Sequence, residues 1–249
     1  MSKTWNLAPA QWSQVLLDGV DVDRVAETLQ GPQVCSWTAV LLEQTKRSTT
    51  ILDLGSGRGQ HSAALALAGK DTTLLDWSTD NVAFSRRLFD SLNLSGRFCR
   101  ADILKPLPFR DNTFDTVFSC GVFEYFTDDE IVSVLREAFR VATKDVIIMV
   151  PNAWSIAYRV GKFYQEAMGT WNWGGERPLA TLKPHFRNAG CNAVKELSVA
   201  AKTSLEFLTM RGGRIIQNAL TDLLKLRDDP KPAWLRQGYL LVSTGQKSA

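Results

Sequence analysis

Four groups of residues able to hold a ligand recur along the first half of the chain, each just after an apolar run. The first is Asp53-Leu54-Gly55-Ser56-Gly57-Arg58-Gly59, a carboxylate followed by glycines at alternate positions. Such a backbone can turn tightly and let a ligand lie against its N–H groups, although glycines in a plain structural turn look the same. The second is Asp76, 23 residues after Asp53, a carboxylate able to accept from a pair of ribose-like hydroxyls. A helix N-cap is its bland reading, but Ser78 and Thr79 already serve that role. The third is Ala101-Asp102-Ile103, where the carboxylate can accept from an exocyclic amine such as that of adenine, or can simply turn the chain before Lys105-Pro106. The fourth is Ser119-Cys120-Gly121, with Glu124 and Tyr125 just beyond.

The elements that must position these groups alternate in type. Thr50–Leu54 reads as a buried strand and 60–68 as a helix stopped by Gly69. A strand at 72–76, a helix at 80–92 and strands at Arg97–Arg100 and Phe114–Cys120 follow. After Phe126, Thr127 and Glu130 form a capping-box pair, and Ile131, Val134, Leu135, Ala138 and Phe139 repeat at helical spacing. Residues 145–150 (DVIIMV) are apolar enough for a strand buried on both faces. Alternation of this kind predicts an α/β fold: a doubly wound, mostly parallel seven-stranded sheet with helices on both sides, and ligands at the carboxyl ends of its strands.

The remainder decorates that core within a single domain. Residues 1–45 read as a cap of two amphipathic helices, 48–150 as the ligand-binding core and 151–177 as a lid with Gly169, Gly174 and Gly175 as hinges. Residues 178–249 complete the sheet, with a short helix ending near Ala189, a strand near 193–199, a helical insertion around 204–226 and a last strand at 239–243. Six of the eight tryptophans (Trp5, Trp12, Trp37, Trp154, Trp171 and Trp173) fall in the cap and lid. Rings there either glue the insertions to the sheet or enclose a substrate.

Composition narrows the function. The 249 residues carry 45% hydrophobic and 22% charged side chains, ordinary for a globular chain. A net charge of +3 is too mild to argue for nucleic acid as a partner. No run suits a membrane span or a signal peptide core, and the four dispersed cysteines suggest neither zinc nor disulfides, so a cytoplasmic setting is expected.

In order and spacing, ILDLGSGRGQHS, LLDWS, ADILKPLPFRDNTFDTVFSCGVFEYF and LREAFRVATKDVIIMVPN resemble the class I S-adenosylmethionine-dependent methyltransferases. The small-molecule branch that includes ubiquinone and menaquinone biosynthesis methyltransferases is the most similar group. The resemblance spans 48–150 well and 178–200 loosely. It implies S-adenosylmethionine as cofactor, with Asp53, Gly55, Ser56, Gly57 and Gly59 around its methionine part. Asp76 would take the ribose, Trp77 an adenine face, Asp102 the adenine amine with Ala101 and Ile103 beside it, and Cys120 and Gly121 the sulfonium end.

The chain departs from that pattern in three places. Ala142-Thr143-Lys144 replaces a glycine-rich turn, Tyr125 stands where many members carry His, and the residues after Asn152 match no motif. Candidate bases are Glu124, Tyr125, His185 and His61. The expected acceptor is a small, partly apolar or aromatic molecule enclosed by Trp12, Trp37, Trp154, Tyr158, Tyr164 and Trp173. Asp76, as a strand-end carboxylate facing a cleft, is expected to be dispensable for folding.

Three other readings compete. A nicotinamide dehydrogenase would want Gly where Gln60 stands. A nucleic-acid methyltransferase would want an Asn/Asp-Pro-Pro-aromatic motif at the fourth strand end, or a proline before a nucleophilic Cys120; neither is present. A non-catalytic module would bind S-adenosylmethionine and transfer nothing.

Overall fold

The computed structural model describes residues 8–31, 34–224, 231–232 and 237–247; Trp5 lies outside them. Among these residues no helix is long and apolar enough to cross a membrane. The strands are β1 (Thr50–Leu54), β2 (Asp71–Asp76), β3 (Arg97–Arg100), β4 (Phe114–Cys120), β5 (Ala142–Pro151), β6 (Val194–Val199), β7 (Lys231–Pro232) and β8 (Leu240–Gln246). They form one sheet in the order β3-β2-β1-β4-β5-β8-β6-β7. Pairing is parallel from β3 to β5, whereas β8 runs antiparallel to both β5 and β6. The seven expected strands are present, and the two-residue β7 is an addition at the edge.

Side-chain alternation explains why this sheet is covered on both faces. Leu52, Leu54, Val117, Val146, Ile148 and Val150 point to one side and pack against Ile131, Leu135 and Ala138 of α6 (Asp128–Val141). Ile51, Phe118, Ile147, Met149 and Val242 point to the other, against Val40 and Leu41 of α3 (Ser36–Gln44). Val146, Ile147, Ile148, Met149 and Val150 of β5 are all at 0% exposure, so each of its faces contributes to a core. The capping box of α6 forms as read: Glu130 N–H donates to Thr127 Oγ1 while the Glu130 carboxylate accepts from Thr127 N–H at 2.9 Å.

The cap contains three helices, not two: α1 (Pro9–Leu17), α2 (Val22–Gln30) and α3. α1 is tied to the sheet by a hydrogen bond between Ser13 and Ser78, the residue that caps α5 (Thr79–Ser91). That bond lays α1 beside the turn after β1, which α4 (Gln60–Leu67) follows. The 151–177 segment contains α7 (Ile156–Ala167) and is pinned where it leaves and returns. Leu179 N–H donates to Pro151 O and Ala153 N–H to Leu179 O, at 2.9 and 3.0 Å. α8 (Lys183–Asn188) then packs on α6 before β6, and α9 (Ala201–Leu205) and α10 (Gly213–Leu224) form the late helical insertion.

Candidate active site

The order 3-2-1-4-5 reverses between β1 and β4, and a cavity of about 240 Å³ opens at the carboxyl ends of these strands. The turn after β1 contributes Gly55, Ser56, Gly57 and Arg58 to its lining. β2 ends in Asp76 and Trp77, and the turn after β3 supplies Ala101, Asp102 and Ile103. Beyond β4 come Cys120, Gly121, Glu124 and Tyr125, the last two on a 3-10 turn, Phe123–Tyr125. All four strand-end groups read from the sequence therefore meet at one cavity.

Asp76 is the hub of the first half. Its Oδ2 accepts from Gly57 N–H at 2.8 Å, and its Oδ1 from Ser78 N–H at 2.9 Å and Asn81 Nδ2 at 3.2 Å. With 4% exposure and three donors to satisfy, it also holds the glycine turn in place, so the expectation that folding does without it needs correcting. Gly57 adopts φ +52°, and a Cβ built on it would sit 3.4 Å from Leu16 of α1. Two buried polar atoms beside it, Ser56 Oγ and Asn81 Oδ1, have no hydrogen-bond partner among the described residues. Arg58 makes no ion pair among the described residues, and burial lowers its pKa. A narrow glycine turn beside an unspent hydroxyl, an unspent amide oxygen and a cation fits an adenosine carrying an amino-acid tail.

Two residues expected at the cofactor stand behind this cradle instead. Asp53 does not line the cavity; it is 3% exposed and accepts from Ser62 Oγ at 2.7 Å, which ties β1 to α4. Burial, with Asp76 nearby, raises its pKa to about 7. Gly59, at φ +71°, also lies off the cavity; a Cβ there would come 2.6 Å from Ser85 Oγ and 2.8 Å from Leu74 Cδ2. Its smallness serves helix–strand packing. Asp102 faces the cavity while one oxygen accepts from Leu104 N–H at 2.9 Å.

The far half is walled by aromatic side chains. Trp12 of α1 meets Tyr125 edge-on at 4.6 Å, and the Tyr125 hydroxyl donates to Trp173 O at 3.0 Å. Trp173, Glu176 and Tyr239 complete the lining. Glu124 is 2% exposed, and burial beside Glu176 pushes its pKa well above the usual carboxylate range. Burial raises Glu176 to about 7 although it accepts from the Tyr158 hydroxyl.

Several expected substrate and catalytic residues are elsewhere. His185 bonds Asp128 at 3.1 Å, is mostly buried and does not line the cavity. Tyr125 cannot serve as a base, because burial and Glu124 drive its pKa upward and its proton is donated to Trp173. Trp37 packs edge-on against His61 and Tyr239. Trp154 is half exposed, Tyr164 is part-buried on α7, and Tyr158 stands behind Glu176; none of these four lines the cavity. His61 does line it, but burial lowers its pKa to about 4 and its Nδ1 bonds Thr38 Oγ1 at 2.7 Å, so it is a neutral wall residue. Cys120 is a half-buried thiol whose pKa burial raises, which argues against a thiolate nucleophile.

Sequence reasoning missed Arg58, Asn81, Glu176 and Tyr239. Tyr239 had a usable signal. In an antiparallel last strand it is the amino end, not the carboxyl end, that faces the crevice. Glu176 had none, since it follows a glycine-rich stretch without periodicity.

Comparison with known proteins agrees with this geometry. Residues 51–145 match the family model of a methyltransferase domain. No curated protein matches the chain significantly. Among solved structures, the chain is similar to magnesium protoporphyrin IX methyltransferase from Synechocystis with bound S-adenosylhomocysteine: 16% identity, 96% of this chain and 94% of that one, TM-score 0.58. A methyltransferase dependent on S-adenosylmethionine from Thermotoga maritima gives 17%, 86%, 91% and 0.58 for the same quantities. The protein bound to the Trm112 methyltransferase activator in a Haloferax volcanii complex gives 20%, 96%, 98% and 0.59. At these identities the likeness concerns the fold, the Rossmann-like class I methyltransferase sheet. The domain match makes this core that of a methyltransferase enzyme with S-adenosylmethionine as its cofactor.

Proposed function

We propose that the chain transfers the methyl group of S-adenosylmethionine to a small, partly apolar or aromatic acceptor by in-line displacement. The observation that carries this reading is the far half of the cavity. Aromatic side chains from α1, the 3-10 turn, the 151–177 segment and the residue before β8 share the lining there, beside the expected sulfonium end. The motif order over 48–150 supports the small-molecule branch, including its likeness to quinone-biosynthesis methyltransferases.

When bound, the cofactor supplies an already activated methyl group. The chain's own work is positioning. In this reading Asp76 holds the ribose hydroxyls, Trp77 covers the adenine and Asp102 takes its exocyclic amine. Gly55, Ser56 and Gly57 cradle the methionine part, with Arg58 available to its carboxylate. Cys120 and Gly121 then line the reacting end, while Trp12, Tyr125, Trp173 and Tyr239 exclude water and orient the acceptor. Orientation of this kind supplies about 7–11 kcal/mol of barrier lowering.

Purified protein with labelled S-adenosylmethionine should release S-adenosylhomocysteine when small aromatic acceptors are added, and none above background with bulk RNA or protein. Turnover only with a macromolecule would replace this reading. Cofactor binding without turnover on any acceptor class would favour a non-catalytic module.

A further inference from the structure

Glu124 is nearly fully buried, lines the acceptor half of the cavity and leaves Oε2 without a hydrogen-bond partner among the described residues. Its other oxygen lies 3.6 Å from a Cβ built on Gly121, next to the expected sulfonium end. Glu176 faces the same space at 8% exposure, held from behind by the Tyr158 hydroxyl. Among the described residues neither carboxyl has an ion-pair partner; Lys162, the base nearest in influence to Glu176, pairs with Glu166 at 2.6 Å and lies 4.1 Å over the Trp171 ring. Two buried carboxyls that repel one another as anions retain protons when alone, and a cation entering between them favours the carboxylate form and displaces a proton to solvent. The aromatic side chains of Trp12, Tyr125, Trp173 and Tyr239 in the same lining suit a cation as well as an apolar body.

We propose that the acceptor is an amine, received as an ammonium ion by Glu124 and Glu176 inside this ring of aromatic side chains, and methylated on nitrogen. This deepens the small-acceptor reading above and rests on it. An ammonium nitrogen has no lone pair, so one proton passes from nitrogen to a carboxylate oxygen of Glu124, giving a neutral amine and a carboxylic acid. The nitrogen lone pair then forms the new N–C bond as the methyl–sulfur bond breaks, its electron pair going to sulfur. The product leaves as a methylammonium ion, and Glu124 gives the proton it took to solvent, which restores the carboxylate for the next turnover. Burial supports the assignment of Glu124 as base: it brings the carboxyl's proton affinity nearer to that of an amine. Tyr125 and Tyr239 keep their protons and do not compete for that role.

The test uses benzylamine, 2-phenylethylamine and tryptamine against benzyl alcohol, 2-phenylethanol, 4-ethylphenol and indole-3-ethanol. Calorimetric titration into the full chain saturated with S-adenosylhomocysteine should show at least one amine binding more than tenfold tighter than its alcohol. Mass spectrometry after incubation with S-adenosylmethionine should find a methyl group added on nitrogen. Glu176→Gln should weaken amine binding more than tenfold, and Glu124→Gln should lower amine turnover more than 100-fold while S-adenosylhomocysteine affinity stays within threefold of the parent. If no amine outbinds its alcohol, or Glu124→Gln methylates amines at the parental rate, the proposal is overturned. If 4-ethylphenol or an alcohol is methylated and the amines are not, the amine assignment fails while the small-acceptor reading stands. Turnover restricted to RNA or protein removes both.

Discussion

Replacing Asp76 with Ala is expected to weaken S-adenosylhomocysteine binding by more than tenfold. Hydrogen bonds to a charged acceptor are each worth about 1.5–3 kcal/mol, and about 1.4 kcal/mol is a factor of ten in affinity. The carboxylate also receives Gly57 N–H, Ser78 N–H and Asn81 Nδ2. Its loss therefore loosens the glycine turn, and the Ala variant should melt below the parent even without ligand. Asp76→Asn separates the two effects: a carbonyl oxygen remains as acceptor, so the turn is better kept while the charge is gone. Calorimetric titration of parent and both variants reads the outcome. Equal affinity for parent and Ala variant would remove Asp76 from the ribose site.

The second large effect distinguishes two glycines that look alike in the sequence. Gly59→Ala places a Cβ within 3 Å of Ser85 and Leu74 in a left-handed backbone conformation. Strain of about 1–2 kcal/mol plus overpacking of about 1–3 kcal/mol should lower the melting midpoint by roughly 5–15 °C for a domain of this size. At Gly57 a Cβ meets only Leu16, at ordinary contact distance, so Gly57→Val carries the left-handed strain of φ +52° without the backbone-side overpacking found at Gly59. Its branched side chain instead fills the cradle, so the thermal shift produced by S-adenosylhomocysteine should disappear. Scanning calorimetry with and without that ligand checks both. A Gly59→Ala protein that melts with the parent, or a Gly57→Val protein that keeps the full shift, contradicts the division of labour between packing and binding.

Legibility in the sequence tracks how local the determining physics is. The strands and helices of 48–150 follow from buried apolar runs, glycine stops and the Thr127–Glu130 capping box, all carried by neighbouring residues. α3 was not separated from its predecessor, because SWTAVLLEQ shows little amphipathic contrast. β5 begins three residues earlier than its apolar run, since Ala142 pairs with Phe114 across a register shift. The strand-end ligand groups were legible because the doubly wound topology sends every parallel strand end to one edge.

The acceptor pocket was not legible in the same way. Composition placed aromatic residues in the cap and the 151–177 segment, yet which ring faces the cavity depends on contacts far apart in sequence. Tyr158 turns to Glu176 and Trp37 to His61, while Trp12 and Trp173 converge on Tyr125. Asp53 shows the opposite failure: its place in a ligand motif suggested contact, and Ser62 claims it instead.

The central claim is that S-adenosylmethionine binds where four strand ends meet. Hydrogen exchange with and without S-adenosylhomocysteine tests it most directly, because protection reports which backbone segments the ligand closes. Protection should rise at 55–59, 76–77, 101–103 and 120–125 and stay unchanged at 183–188, where His185 lies away from the cavity. Saturating ligand that leaves those four segments unprotected, or protects only segments remote from the cavity, would contradict the account.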